Sequence, residues 1–165
     1  MKTIVLIRHA KTESYATTGG DFNRQLTATG RQDAAMMAMR LKEKNIIPDI
    51  IVTSLAKRAA QTAAIIAEHL QLPAERIEGL QMLYQCAPAA FAEKIALLPD
   101  AAETVFIIAH NPGITDFANN QIYPQDIPHI PTCGIVAFRF NADRWQDMPA
   151  ANISFLFFDY PKNIV

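Results

Sequence analysis

Long hydrophobic runs are missing from this chain. Nothing in it approaches the ~18 apolar residues that a membrane-spanning helix requires, so no membrane partner is expected. Charge of one sign is missing too. Lys and Arg number 15 against 16 Asp and Glu, a net charge of −1, which offers nucleic acid no basic face. Cysteine is scarce: Cys86 and Cys133 have no paired spacing, which fits a reduced, cytoplasmic protein. No HxH, HExxH or Cys-pair spacing occurs, which argues against a metal, and no cofactor is expected. The absence of GxSxG, of a Walker loop and of GxGxxG speaks against a serine hydrolase and a nucleotide switch. No repeat, low-complexity tract or linker divides residues 1–165, so a single domain is expected. Lys2 precedes an apolar run that breaks at Arg8, too short for a signal-peptide core and better read as a first strand.

What is present is a set of short, buried-looking strands with chemistry at their ends. Half the residues are hydrophobic, enough for a real core in a chain of this size. Ile4-Val5-Leu6-Ile7 leads to Arg8-His9. Ile50-Ile51-Val52-Thr53-Ser54 leads to Lys57-Arg58, and Val105-Phe106-Ile107-Ile108-Ala109 leads to His110-Asn111-Pro112-Gly113. Runs rich in β-branched residues and apolar at every position read as strands covered on both faces of a parallel sheet. Ligands of such sheets collect at the carboxyl ends of the strands.

The remaining elements follow from periodicity and punctuation. Thr27 is suited to cap a helix that runs to about Lys44, with Ala34, Ala38 and Leu41 inward and Ala35 beside them. Ser54 is expected to cap a second helix, Leu55 to Leu70. A short strand is expected near Arg76 to Glu78, and Pro88 suits the first turn of a third helix ending near Leu98. A short helix is expected from about Thr115, then a proline-rich loop from Ile122 to Pro131. Gly134 to Phe140 and Asn152 to Phe158 read as two further strands, paired at one side of the sheet. The alternation predicts a three-layer α/β/α sandwich with a mostly parallel central sheet.

Arg8, His9, Arg58 and His110 are the candidate site. Arginine presents a planar fork of donors that matches phosphate oxygens. Histidine offers a ring nitrogen that is neutral and nucleophilic near pH 7. Arg58 lies in a first helical turn, where a cation opposes the helix dipole at a cost of roughly 0.3–1 kcal/mol; an anionic ligand reverses that sign. His69, near a helix C-terminus, and His129, in the proline-rich loop, fit ordinary structural places. Arg24 is read as a rim cation directed at the substrate, with a solvated loop charge as the equal alternative.

Four segments carry a resemblance: Leu6-Ile7-Arg8-His9-Ala10-Lys11-Thr12-Glu13, Arg24-Gln25-Leu26-Thr27-Ala28-Thr29-Gly30, Ser54-Leu55-Ala56-Lys57-Arg58-Ala59-Ala60-Gln61-Thr62 and Ala109-His110-Asn111-Pro112-Gly113. In this order they resemble the histidine phosphatase superfamily, with its phosphoglycerate mutase-like fold. Ala10 in place of the usual Gly, the short chain and the His-Asn-Pro turn resemble the SixA-type phosphohistidine phosphatases. The resemblance implies that His9 becomes phosphorylated and that Arg8, Arg58 and His110 hold the phosphoryl group, with Arg24 and Asn111 contacting the substrate. It implies a metal-independent phosphatase, a phosphohistidine-bearing protein as substrate and a phosphate ion in the site; a monomer is expected. The departure lies in the middle region, where larger members carry a carboxylic acid for the leaving group. Here the only acids, Glu75 and Glu78, come too early. A phosphatase for a small phosphate ester or anhydride, and a non-catalytic phosphate-binding module, remain the alternatives.

Overall fold

A computed structural model describes residues 1–16 and 18–164. Six strands form one sheet in the order β3-β2-β4-β1-β5-β6. They are β1 (Lys2–Arg8), β2 (Ile50–Ser54), β3 (Ile77–Leu80), β4 (Thr104–Ala109), β5 (Ile135–Phe140) and β6 (Ile153–Asp159). The first four run parallel; β5 lies antiparallel to β1, and β6 antiparallel to β5 at the edge. The central strands are apolar at nearly every position because both of their faces are covered.

Two cores flank the sheet. On one face α1 (Ala28–Glu43) and α2 (Lys57–His69) bury Ala34, Met37, Leu41, Ala63 and Ile66 against Val5, Ile7, Phe106 and Ile108. On the other face α3 (Pro88–Ala96) and α4 (Gly113–Ile122) bury Phe91, Ile95 and Phe117 against Ile4, Leu6 and Ile107. Alternate residues of one strand thus feed opposite cores, and the result is the expected three-layer sandwich with a mostly parallel sheet. No helix among the described residues is long and apolar enough to cross a membrane.

Local expectations need three corrections. Ala35 is only half-buried, and Met37 is the fully buried side chain that joins Ala34, Ala38 and Leu41 in the core. Ser54 does not cap α2. It is the last residue of β2, the helix starts at Lys57, and Ala56 at its N-cap makes no side-chain bond. The fourth helix begins at Gly113 rather than Thr115, because the chain turns directly into it: the Ile114 amide already donates to the carbonyl of His110. Thr27 caps α1 as expected, accepting the Gly30 amide at 3.0 Å. Gly30 itself packs on the main chain of Lys11, where a β-carbon would collide with the Lys11 carbonyl.

Candidate active site

The parallel strands β1, β2 and β4 lie side by side, so their carboxyl ends open on one edge. Arg8 closes β1, and His9 follows it; Ser54 closes β2, with Arg58 in the first turn of α2; His110 follows β4. His9, Arg58 and His110 are each less than a tenth exposed. The His9 and His110 rings stand 5.2 Å apart between centroids. Thr62 ties the segment after His9 to α2: it accepts the Ala10 amide at 3.0 Å and donates to the Arg58 carbonyl at 2.8 Å. The Cys133 amide donates to the carbonyls of both Arg8 and His9.

Each histidine has a defined hydrogen position. His9 Nδ1 lies 2.9 Å from the Ala10 carbonyl oxygen. A carbonyl only accepts, so Nδ1 carries the hydrogen and Nε2 keeps its lone pair. Ser54 Oγ accepts the Ala56 amide at 3.2 Å and lies 2.8 Å from His110 Nε2. Its own hydrogen is therefore available to His110 Nε2, an assignment from the network that puts the His110 hydrogen on Nδ1. Burial holds both rings neutral. Desolvation lowers His9 to about 3, with His110, Arg58 and Arg8 adding to it against the Ala10 hydrogen bond. Desolvation, then Arg58, lowers His110 to about 4.

Among the described residues, three buried side-chain nitrogens have no partner: Arg8 Nε, Arg58 Nε and His110 Nδ1. All three are donors, and the groups that bear them depress one another's charge, as Arg58 does to Arg8 and both arginines do to His110. A buried unpaired donor is costly. Donors of this kind are suited to an oxyanion, which supplies only acceptors.

The other two candidate residues lie around this pocket. Asn111 donates from Nδ2 to the Ile130 carbonyl at 2.9 Å and accepts from Thr115 Oγ1 at 2.6 Å. Arg24 donates from Nε to Asp21 Oδ1 at 3.0 Å and from Nη1 to Thr12 Oγ1 and the Glu13 carbonyl. Both are engaged within the protein's own loops. Among the described residues no group of three His, Cys, Asp or Glu side chains is placed to hold a metal ion.

Sequence reasoning missed Asp21, Tyr84 and the role of Ser54. Asp21 lies in a single 3₁₀ turn, Asp21–Asn23, beyond Gly19 and Gly20, both in the left-handed region. It pairs with Arg58, whose Nη2 lies 3.1 Å from Oδ2. Tyr84 donates to the same oxygen at 2.6 Å. The Tyr84 hydroxyl, then Arg58 and Arg24, hold the Asp21 carboxyl below its ordinary range, so it is ionised. This carboxylate compensates the cation in the first turn of α2. Glu78 is turned to Lys94, 3.0 Å away.

The comparisons with known proteins agree with this geometry. Residues 4–83 match the family model of the histidine phosphatase superfamily, branch 1. Phosphoglycerate mutase 1 of Saccharomyces cerevisiae is 38% identical over 81 residues, which is 46% of this chain and 33% of that protein. The chain thus spans about a third of the length of the curated mutases it matches. An uncharacterized protein of Mycobacterium tuberculosis is 26% identical over 94% of this chain and 100% of its own length. Among solved structures, that of the protein histidine phosphatase SixA complexed with tungstate superposes with a TM-score of 0.81 at 22% identity, covering 96% of this chain and 97% of that one. Residues 4–83, just under half of the chain, thus resemble the histidine phosphatase superfamily, and the chain throughout has the phosphoglycerate mutase-like fold.

Proposed function

We propose that the protein is a metal-independent phosphatase that removes phosphate from protein histidine through a covalent phosphohistidine on His9. The observation that carries this reading is the pairing of a neutral His9, its Nε2 lone pair free, with three buried donors that lack an acceptor. His9 Nε2 attacks phosphorus and forms a new P–N bond while the substrate's own P–N bond breaks. The substrate ring departs as neutral imidazole, keeping the proton its other nitrogen already carries, and Arg8, Arg58 and His110 stabilise the charge on the transferring oxygens. Water then attacks phospho-His9, releases inorganic phosphate and restores the ring. His110 Nδ1 changes from an unpaired donor to a bonded one as the phosphoryl group arrives.

The fold likeness to a protein histidine phosphatase favours a phosphohistidine substrate. So does the acid inventory at the pocket, where the carboxylate at hand, Asp21, is held ionised and Glu78 is paired with Lys94. A phosphoramidate with a protonated ring leaves without an acid, whereas an alkoxide does not. The matching mutases supply the second reading, a small phosphate ester, through the likeness of the N-terminal half. The reading places the enzyme in the cytoplasm as a monomer. Turnover of a phosphohistidine protein and of small phosphate esters by the same preparation is the deciding test. Efficient release of phosphate from the protein supports the proposal; release from the esters alone overturns it.

A further inference from the structure

Arg58 is divided between two tasks. Its terminal nitrogens belong to Asp21: Nη1 donates to the Asp21 main-chain oxygen at 2.8 Å, and Nη2 donates to Oδ2 at 3.1 Å. Its Nε is buried and has no partner. A guanidinium has five N–H groups in one plane, and two edges of that plane accept different partners. The end of the fork is thus fixed by a single residue, and the side edge is left for an anion. Asp21 is in turn held from two sides. Arg24 Nε donates to Oδ1 at 3.0 Å, and Tyr84 donates to Oδ2 at 2.6 Å. Tyr84 stands edge-on to His110, with centroids 5.6 Å apart, and to Phe22 at 5.0 Å. The Arg58 guanidinium carbon lies 5.9 Å from the Tyr84 ring centre.

We infer that Asp21, locked by Tyr84 and Arg24, is a positioning residue for phosphoryl transfer: it holds the end of the Arg58 fork so that the Nε edge is presented to the phosphoryl oxygens. The inference rests on the reading of Arg58 as a phosphoryl ligand. A free arginine side chain carries several rotatable bonds, and fixing one end before the ligand arrives removes that entropy from the binding step. The same contact explains how a buried cation is tolerated at the start of α2 before any anion is bound. Asp21 touches neither substrate nor reacting atoms and donates no proton.

The experiment measures the affinity of the whole protein for inorganic phosphate and its phosphatase turnover in five variants. Asp21→Ala is expected to weaken phosphate binding about tenfold, the loss typical of one hydrogen bond to a charged group. Asp21→Asn keeps an oxygen for Arg58 and Tyr84 and should recover most of that loss. Tyr84→Phe removes only the hydroxyl, leaves the rings packed, and should give a loss in the same direction. In an Arg58→Ala background, Asp21→Ala should cost nothing further, since both changes remove the same contact. Unchanged or tighter phosphate binding in Asp21→Ala makes the carboxylate a bystander or a competitor of phosphate and overturns the inference. Additive losses in the double variant overturn it as well. If Arg58→Ala itself leaves phosphate binding intact, the reading of the site fails instead.

Discussion

Arg8 and Asn111 share one acceptor. Arg8 Nη1 donates to the Ile130 carbonyl at 3.1 Å, and Asn111 Nδ2 donates to the same oxygen at 2.9 Å. The carbonyl that holds the Arg8 fork is therefore held in turn by Asn111, the residue after His110 beyond β4. Asn111→Ala removes that clamp and leaves Thr115 Oγ1 without its acceptor. We expect a loss of about 1–3 kcal/mol of stability together with weaker phosphate binding. Denaturant melts and phosphate titration of the variant check this; a variant as stable and as tight as the parent contradicts it.

Incubation with a small phosphodonor is expected to label His9 with an acid-labile, base-stable bond, and His9→Ala is expected to show no label and no turnover while staying folded at pH 7. Mass spectrometry of the trapped protein decides the matter. A label on another residue, or turnover that survives the substitution, excludes His9 as nucleophile.

Stability should depend on pH through the same rings. His9 and His110 are held neutral, at about 3 and about 4, while an unfolded histidine titrates near 6.5. Above that value neither state binds the proton, and nothing is lost. Below it the unfolded chain gains protons that the folded chain refuses, so stability falls as pH falls. Each ring contributes about 1.4 kcal/mol per pH unit until its own folded value is reached, which makes about 2 kcal/mol for His9 at pH 5. Unfolding midpoints at pH 7, 6 and 5 should drop less steeply in His9→Ala than in the parent. Parallel curves count against a buried neutral His9.

The leaving group should govern rate. General acid assistance is typically worth ~10²–10⁴-fold, and its absence is felt most by poor leaving groups. Phosphohistidine protein should be turned over well, aryl phosphate slowly, and alkyl phosphate hardly at all. A flat series of kcat/KM values points to an acid at the pocket after all.

Gly30→Ala is expected to damage the site from a distance. The added carbon meets the Lys11 carbonyl, main chain that cannot swing aside, two residues beyond His9. Overpacking of this kind costs typically 1–3 kcal/mol. Phosphate affinity should fall along with the melting temperature; a neutral substitution shows that the Lys11 segment yields.

Much of this was legible in the sequence because it lies on buried strands. β1, β2 and β4 read correctly because residues covered on both faces leave an uninterrupted apolar run, and Arg8, His9 and His110 are conspicuous as the first polar residues after those runs. Asp21 and Tyr84 gave no such signal. Each sits in a short 3₁₀ segment or beside one, with no periodicity, and their value comes from a contact across 63 positions of chain. Ser54 misled for a local reason: a serine before a helix reads as a cap, whereas here the strand runs one residue further and its hydroxyl faces β4.

The strand order β3-β2-β4-β1 means that β1 and β2 never touch; β4 lies between them. The segments that carry Arg8 and Arg58 thus leave strands separated by β4, the strand that His110 follows. Residues 4–83 alone contain both arginines and His9 but no spacer to seat them against. If these residues bind phosphate together, a growing chain is expected to gain that ability only once β4 is inserted. Parallel strands so distant in sequence pair slowly, so the appearance of phosphate binding during refolding marks a late event and not an early one.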